Sequence, residues 1–320
     1  MSASRIIGTY EGTEKGPLFV STGGIHGNET AGVVALHTVF TLLEREALIN
    51  PEFSFRGRFV GLKGNIAALA KKERYLDQDM NRIWIPEKIA ANRQEDPSRL
   101  TSEEKELLDI LATVQQEIDH YQPERLVWLD LHTTTAGGGI FSISDNRQDS
   151  LSIATGLHAP VITGMLDSLE GTLMHYVRDD NFGLPSVSVT FEAGQHNDPL
   201  SVNRAIAALI NCLRATEMVP ADIVENRHDK LLIEYSRDLP KLARLIHIHH
   251  VREGDDFHMM PNYENFMSVK KGELLAHDRF GPVYCPHDAL ILMPLYQQQG
   301  SEGYFLLKTI VRPQLAQVIP

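Results

Sequence analysis

Cysteine is scarce in this sequence, with Cys212 and Cys285 as the two among 320 residues. A small fold held together by disulfides is therefore excluded. The two residues lie far apart in sequence and have none of the neighbours that a thiolate zinc site needs. Such low cysteine usage fits the reduced cytoplasm, which is the location that we expect.

Long apolar runs are also missing. The N-terminus reads MSASRIIGTYEGTEKG and has no basic region followed by the apolar stretch of a signal peptide. No later segment approaches the roughly 18 apolar residues of a membrane-spanning helix. We therefore expect a soluble, unprocessed chain without a membrane partner.

Positive charge is the third shortage, because 30 Lys and Arg residues stand against 42 Asp and Glu residues, a formal net charge of −12. No basic stripe reverses this locally, so nucleic acid and anionic lipid are not expected as partners. Hydrophobic residues at 42% and charged residues at 22% are ordinary for a globular chain and exclude extensive disorder. What stands out is 14 histidines.

Apolar strands and amphipathic helices alternate along the first two thirds of the chain. Leu18–Thr22, Arg125–Leu131 and Ser186–Glu192 are apolar runs of strand length. Apolar residues at helical spacing follow Glu29, and Thr101–Tyr121 opens with an N-cap and an acidic first turn. The alternation predicts an α/β fold with a mixed, mostly parallel sheet sandwiched by helices. Functional groups should lie at the carboxyl ends of its strands.

The pattern changes after Pro220. Long helical periodicity stops, and short β-rich runs take over at Leu242–Val251, Glu273–His277 and Ala289–Pro294. We therefore predict a catalytic domain over residues 1–224 and a small, all-β C-terminal domain over residues 225–320.

A candidate metal site lies in the segment GGIHGNE. His26 and Glu29 are three residues apart on a glycine turn that enters a helix. A catalytic zinc ion commonly takes three protein ligands, and His132 at the end of the strand containing Asp130 is the natural third. Asp130 is suited to orienting that histidine from behind. Because HxxE alone is a weak signal, a histidine hydrogen-bonded in a packed loop remains the alternative.

Glu192 closes another apolar strand and is followed by the small residues Ala193 and Gly194. At the same sheet edge, it could accept a proton from water that a metal activates. A surface glutamate at a strand tip is the simpler alternative.

Four motifs in one order resemble the succinylglutamate desuccinylase and aspartoacylase family, which belongs to the zinc carboxypeptidase-like hydrolases. They are GGIHGNE, the segment from Asn65 to the run RYLDQDMNR, DLHTT, and FEAG. The resemblance covers roughly residues 15–220. It implies a zinc carboxypeptidase-like fold and one Zn²⁺ ion per chain, held by His26, Glu29 and His132.

The same resemblance implies roles for further residues. Glu192 would activate water, and Arg74 would polarise the scissile carbonyl and stabilise the oxyanion. Asn81 and Arg82 would hold the substrate carboxylate, since arginine binds carboxylates in a bidentate manner. The implied partner is a small anionic acyl amino acid.

The sequence departs from the better-known members of the family before the catalytic glutamate, where a tyrosine and an arginine are missing. His175 or Arg178 could substitute. A tyrosine of the C-terminal domain that reaches the substrate is assigned to Tyr296, with Tyr263 and Tyr304 as competitors. The acyl specificity therefore cannot be transferred from the family.

Two other features are interpreted as structural. The tract His247–His250 alternates along a strand and is more simply solvated than metal-binding. The glycines Gly137–Gly139 lack the lysine of a phosphate loop and are expected to allow close backbone approach near the zinc.

Together these observations predict a cytoplasmic zinc-dependent hydrolase that cleaves the amide bond of a small N-acyl amino acid or a related acyl compound. The alternatives are a metallocarboxypeptidase acting on short peptides and a non-catalytic ligand-binding protein of the same fold. The sequence leaves a homo-oligomer open.

Overall fold

The computed structural model describes residues 4–178, 181–220 and 229–310. The strands of the main sheet up to residue 195 are β1 (Ile6–Glu11), β2 (Glu14–Gly23), β3 (Arg56–Lys63), β4 (Leu126–Thr134), β5 (Phe141–Ile143), β6 (Val161–Thr163) and β7 (Ser186–Gln195). The later strands are β8 (Leu242–His250), β9 (His258–Met259), β10 (Ser268–Val269), β11 (Leu274–Asp278), β12 (Gly281–Tyr284), β13 (Ala289–Leu292) and β14 (Glu302–Thr309).

Eight α-helices lie in the described part of the chain. They are α1 (Ala31–Ile49), α2 (Ile66–Lys71), α3 (Pro86–Asn92), α4 (Ser102–Tyr121), α5 (Gln148–Gly156), α6 (Leu173–Arg178), α7 (Ser201–Ala215) and α8 (Asp229–Tyr235), and a 3-10 helix spans Met80–Arg82. The N-cap predicted for α4 is confirmed, because Thr101 and Glu104 form a capping box. None of these helices is long and apolar enough to cross a membrane.

Eleven strands form one mixed sheet in the order β1-β3-β2-β4-β7-β5-β6-β8-β14-β13-β10. β2 pairs in parallel with β3 and β4, and β4 pairs in parallel with β7. This parallel centre has the predicted strands side by side, so their carboxyl ends share one edge. β1 adds an antiparallel edge strand that the sequence pattern did not predict.

Both faces of the parallel centre are covered, which is why its strands are apolar almost throughout. On one face α1, α5 and α7 pack over residues such as Phe19 and Phe191. On the other face α4 and α6 pack around Trp128. The predicted α/β class with a sheet between helices is therefore confirmed, and burial on both faces is its physical cause.

The strands after residue 229 extend the main sheet, because β8 pairs in parallel with β6, and β14, β13 and β10 follow in order. Only β9, β11 and β12 form a separate three-stranded antiparallel sheet. The predicted boundary between residues 224 and 225 lies outside the described residues. The C-terminal region is thus rich in β-structure, and it is joined to the catalytic region by continuous hydrogen bonding.

Candidate active site

Three neighbouring strand ends deliver the candidate residues. Gly23, the last residue of β2, is the register partner of Leu131 in β4, and His132 is the partner of Glu192 in β7. The loop after β2 makes a turn in which the Glu29 N–H donates to the His26 carbonyl at 3.1 Å. Parallel pairing and one tight turn therefore bring residues from three distant segments to one place.

Gly27 makes this turn possible. A Cβ atom there would lie 2.1 Å from the carbonyl carbon of Ala68 in α2. Glycine is therefore required by the close approach of two backbones.

His26, Glu29 and His132 form a compact buried cluster. One potential ligand atom from each lies within 4.8 Å of the others, and no second group of three such residues occurs in the described ranges. Glu29 stands between the rings, with Oε1 at 2.8 Å from Nδ1 of His26 and Oε2 at 3.0 Å from Nδ1 of His132. The sequence predicts that these three residues bind a metal, and the geometry makes them a candidate metal-ligand set that could hold one ion.

Each histidine of the cluster also contacts an aspartate carboxylate through its Nε2 atom. Nε2 of His132 lies 2.7 Å from Oδ2 of Asp130, and Nε2 of His26 lies 3.1 Å from Oδ1 of Asp79. Asp130 in turn accepts a hydrogen bond of 2.6 Å from the Thr22 hydroxyl. Carboxylates at Nε2 leave Nδ1 of both rings for a metal, a common arrangement behind metal-bound histidines.

The charges in the cluster shift its ionisation. Burial alone would raise the pKa of Glu29, but the charges of His26 and His132 hold it well below the usual range. Burial would lower the pKa of His132, but Asp130 and Glu29 hold it well above that of an ordinary histidine. The carboxylates and imidazoles of the cluster thus stabilise one another's charged forms.

Glu192 lines the same cavity but makes different contacts. Its Oε2 atom is buried and has no hydrogen-bond partner among the described residues. Burial raises the pKa of Glu192 to about 7, against the opposing effect of nearby His132. A carboxyl group with this pKa can both accept and release a proton near neutral pH.

Arg74 reaches the cluster from the loop between α2 and the 3-10 helix. Its Nε and Nη2 atoms lie 3.2 and 2.9 Å from Oδ2 of Asp79, and its Nη1 atom lies 3.6 Å from Oε1 of Glu29. The guanidinium is thus fixed beside the metal-ligand set. Asp79 therefore orients both Arg74 and His26, a role that the sequence did not reveal.

Glu103 in α4 organises the loop that carries Arg74. This carboxylate is fully buried and accepts backbone hydrogen bonds of 2.8, 3.0 and 3.3 Å from Leu76, Asp77 and Gln78. It also accepts a bond of 2.9 Å from the Asn65 amide. The loop that includes Leu76, Asp77 and Gln78 is therefore held by one buried charge.

Asn81 and Arg82 both line the cavity. The Asn81 side-chain oxygen accepts a bond of 2.9 Å from the backbone N–H of Leu173. Arg82 donates through Nε and Nη2 to Glu302 in β14 at 3.2 and 2.8 Å, and through Nη1 to the Asn81 carbonyl. Arg82 therefore already has a carboxylate partner from the C-terminal region.

The three candidate tyrosines of the C-terminal region are not among the described residues that line the cavity. Tyr296 is exposed and is not among the described residues that line the cavity. Its hydroxyl donates to the Met260 carbonyl at 2.8 Å and accepts from the N–H of Tyr263 at 2.9 Å. The Tyr263 hydroxyl donates to Glu273, and buried Tyr304 stacks on His249. Each hydroxyl or ring is thus engaged in packing of the C-terminal region.

His175 and Arg178 are the two residues that could substitute for the arginine missing from the family pattern. Of these, His175 lines the cavity and Arg178 does not. Both ring nitrogens of His175 are used locally, at 2.7 Å from the Thr172 hydroxyl and 2.8 Å from the Leu166 carbonyl. The glycine tract allows the close backbone approach that was expected of it, because a Cβ at Gly138 would lie 2.6 Å from Cβ of Glu264 and 2.8 Å from the carbonyl oxygen of Asn265. These glycines allow the C-terminal loop to approach.

His196 lines the cavity and was missed in the sequence. Its Nδ1 lies 2.6 Å from the Thr133 hydroxyl, and its buried Nε2 has no partner among the described residues. Burial lowers the pKa of His196, which favours a neutral ring. The signal that could have found it is its place four residues after Glu192, just beyond the end of β7.

The fold and the site together define a class of protein, mixed α/β chains with a His-Glu-His cluster that could hold a metal ion and a buried carboxyl group at the sheet edge. A sequence model of the succinylglutamate desuccinylase/aspartoacylase catalytic domain matches residues 15–215. The chain belongs to this family.

Individual relatives agree with this assignment. The chain is 29% identical to a succinylglutamate desuccinylase of Pseudomonas putida, over 80% of this chain and 71% of the relative. It is 31% identical to a rat N-acyl-aromatic-L-amino acid amidohydrolase (carboxylate-forming), over 53% of this chain and 44% of the relative. The crystal structure of a Vibrio parahaemolyticus succinylglutamate desuccinylase shares the fold, with a TM-score of 0.60 at 20% identity over 93% of this chain and 83% of that one.

Proposed function

We propose that this chain is a zinc-dependent deacylase that hydrolyses the amide bond of a small N-acyl amino acid. One observation carries the proposal: the metal-ligand set of His26, Glu29 and His132 shares a cavity with Glu192, a buried carboxyl group with a pKa of about 7. Family membership and the amide-cleaving relatives named above support the same reaction class.

The donor set suits zinc. Two imidazoles and one carboxylate are a common ligand set in catalytic zinc sites, which leave a position open for water or substrate. His26 and His132 would bind through Nδ1, because their Nε2 atoms face Asp79 and Asp130. Bound there, one zinc ion per chain would supply a Lewis acid that polarises a carbonyl and makes water more acidic.

Glu192 would carry the proton transfers. Its unpartnered Oε2 atom would accept a proton from the attacking water and later return it to the nitrogen of the leaving amine. Arg74, fixed by Asp79, would donate hydrogen bonds to the oxygen on which negative charge develops. Both groups would therefore act without large movement.

Asn81 and Arg82 would hold the carboxylate of the substrate. Arg82 uses three of the five N–H donors of a guanidinium in its bonds to Glu302 and Asn81, which by count leaves two for a substrate. Charge-assisted bonds of this kind fix the orientation of a carboxylate.

A metallocarboxypeptidase is the competing assignment within the same chemistry. Residues 293–305, here named the cover segment, contribute Met293, Leu295, Gln297, Gly300, Glu302 and Phe305 to the cavity lining. They also bond to the other side of the site. The Asn28 side-chain amide donates to the Gln297 side-chain oxygen at 3.2 Å, and the Gln299 side-chain amide donates to the Tyr75 carbonyl at 3.2 Å. A covered cavity favours a small acyl amino acid over a peptide chain.

A hydrolysis screen with zinc-loaded protein tests the proposal. The panel contains acetyl-, succinyl- and aspartyl-type acyl amino acids and, as matched controls, dipeptides and tetrapeptides with the same C-terminal residue. We expect turnover of at least one acyl amino acid and little of the peptides. Preferential peptide cleavage would establish the peptidase, and absence of any turnover together with absence of bound metal would indicate a binding protein.

We also propose a cytoplasmic location. Cys212 and Cys285 are both free and buried thiols, as expected for a reducing compartment.

A further inference from the structure

The cavity beside the metal-ligand set has a wall that the proposed chemistry does not use. This wall is apolar and comes from three parts of the fold: the segment after β6, helix α6 and the cover segment. Six of its side chains are Met165, Leu166, Leu169, Met174, Leu295 and Phe305.

Three of these side chains belong to a packed part of the molecule. Met165 and Phe305 are 1% and 4% exposed and belong to one apolar cluster, against which Leu169 packs. Such a wall is preformed, and its methionines, among them Met165 and Met174, can adapt to ligands of different outline. The wall therefore fits an uncharged, apolar group of a substrate.

The charges of the cavity lead to the same conclusion. Among described residues, Arg74 and Arg82 are the lysine or arginine side chains in the lining, beside the carboxylates of Glu29, Glu192 and Glu302. Arg74 is paired with Asp79, and Arg82 is paired with Glu302. A second carboxylate on a substrate would thus find no cation that lacks an acidic partner.

Glu302 is the residue that limits how many carboxylates Arg82 can bind. Its side chain is 11% exposed and lies on a strand of the C-terminal region, 220 residues from Arg82. Glu302 takes two of the five N–H donors of Arg82 and Asn81 takes a third, so Arg82 retains donors for one substrate carboxylate and none for a second. A carboxylate placed against the apolar wall would be desolvated without compensation.

We propose that this deacylase selects N-acyl amino acids with one carboxylate and an apolar group, carried either on the amino-acid side chain or on the acyl chain. The inference rests on the proposed function and narrows its substrate class. Succinylglutamate, with three carboxylates, falls outside this class.

Matched substrate pairs test the inference at each position. N-acetyl-L-leucine against N-acetyl-L-aspartate tests the side chain, and N-pentanoylglycine against N-succinylglycine tests the acyl group. We expect the apolar member of at least one pair to have a kcat/KM at least about tenfold higher. Preference for the acidic member in both pairs, or less than tenfold discrimination in both, would overturn the inference while leaving the deacylase assignment intact.

Binding provides a readout that does not depend on turnover. Titration calorimetry of the same four compounds with the zinc-loaded Glu192→Gln protein should give tighter binding of the apolar member. If no compound is hydrolysed but this order of affinity holds, the proposed reaction fails and the selection stands. Tighter binding of the acidic members would contradict the selection.

Two variants and a control test whether the charges of the cavity cause the preference for apolar substrates. Glu302→Gln releases Arg82, and Leu169→Lys adds a cation to the apolar wall, so each should improve kcat/KM for the acidic member at least about tenfold relative to the apolar one. Ile246→Lys changes an exposed residue on β8 and should leave the ratio unchanged. An unchanged ratio in both cavity variants, or an equal change in the control, would refute the charge argument.

Discussion

The strand ends and the cover segment form opposite sides of one cavity and differ in how they are built. His132 and Glu192 are register partners in adjacent parallel strands and are fixed by sheet hydrogen bonds, and His26 is held in the tight turn that follows the neighbouring strand. The cover segment reaches the site through a few side-chain bonds, such as Arg82 to Glu302 and Asn28 to Gln297.

This difference suggests a division of tasks. Most groups of the reaction lie at or just beyond the ends of paired parallel strands, which suits the precise geometry that catalysis requires. The groups that we assign to substrate selection lie outside the parallel centre, on the segment after β6, on α6 and on the cover segment, whose last residues belong to β14. Changes at the strand ends should therefore abolish activity, and changes in the cover segment should alter selectivity or stability alone.

Loss of the metal should have the largest effect. His132→Ala removes one of three ligands and should lower zinc content, measured by inductively coupled plasma mass spectrometry, from one per chain to a small fraction. Activity should disappear with the metal. His37→Ala, on an exposed face of α1, is the matched control and should retain both. Full zinc content in the His132 variant would contradict the ligand assignment.

The same site should show proton-linked metal binding. Because the pKa of His132 is raised in the metal-free protein, zinc must displace its proton, and affinity should increase with pH up to that pKa. The pKa of Glu29 is lowered, so it stays ionised and contributes no proton. Calorimetry in buffers of different ionisation enthalpy should detect this release. Binding without proton release would contradict the electrostatic description.

Glu192→Gln should have the second largest effect on activity. Removal of a general base that shuttles protons should lower kcat by about 10²- to 10⁴-fold. Zinc content and thermal stability should be retained, because Glu192 is not one of the assigned ligands. Glu124→Gln, an exposed glutamate before β4, is the control. Near-normal turnover of Glu192→Gln would refute the assignment of the base.

The Glu103 carboxylate is not among the described residues that line the cavity, but it holds the loop that carries Arg74, and its removal tests that role. Glu103→Ala leaves several buried N–H donors unsatisfied and should reduce the free energy of unfolding by about 3 kcal/mol, measured by denaturant titration. Activity should fall through displacement of Arg74, by less than in Glu192→Gln. Glu124→Ala should change neither quantity, and an equally stable Glu103→Ala would show that the loop is held otherwise.

The smallest effect is expected at Tyr296. Loss of its hydroxyl in Tyr296→Phe removes bonds to Met260 and Tyr263 and should cost about 1 kcal/mol of stability. Activity should stay within about twofold, as in the exposed control Tyr284→Phe. A large rise in KM would instead support the substrate-binding role predicted for Tyr296 from the sequence.

The same division explains what the sequence could predict. Apolar runs that end in glycine or in a polar residue identify β2, β4 and β7, and parallel strands bring such ends together. His26, Glu29, His132 and Glu192 could therefore be found from local patterns and the order of motifs.

Asp79, Glu103 and Glu302 could not be found in this way. Asp79 contacts His26 across 53 residues of chain, and Glu302 contacts Arg82 across 220. Nothing in the local sequence separates them from the many solvated acidic residues of a chain with net charge −12. The continuation of the main sheet into β8, β14, β13 and β10 was missed for a similar reason, because strand pairing depends on contacts distant in sequence.

The central claim is that His26, Glu29 and His132 hold one catalytic metal next to Glu192. Diffraction from crystals of zinc-loaded protein, measured on both sides of the zinc absorption edge, tests it most directly. The account predicts a single anomalous peak per chain, at about 2.0–2.1 Å from Nδ1 of both histidines and at about 2.0–2.2 Å from a Glu29 oxygen. A peak at other residues, or none in protein that hydrolyses acyl amino acids, would contradict it.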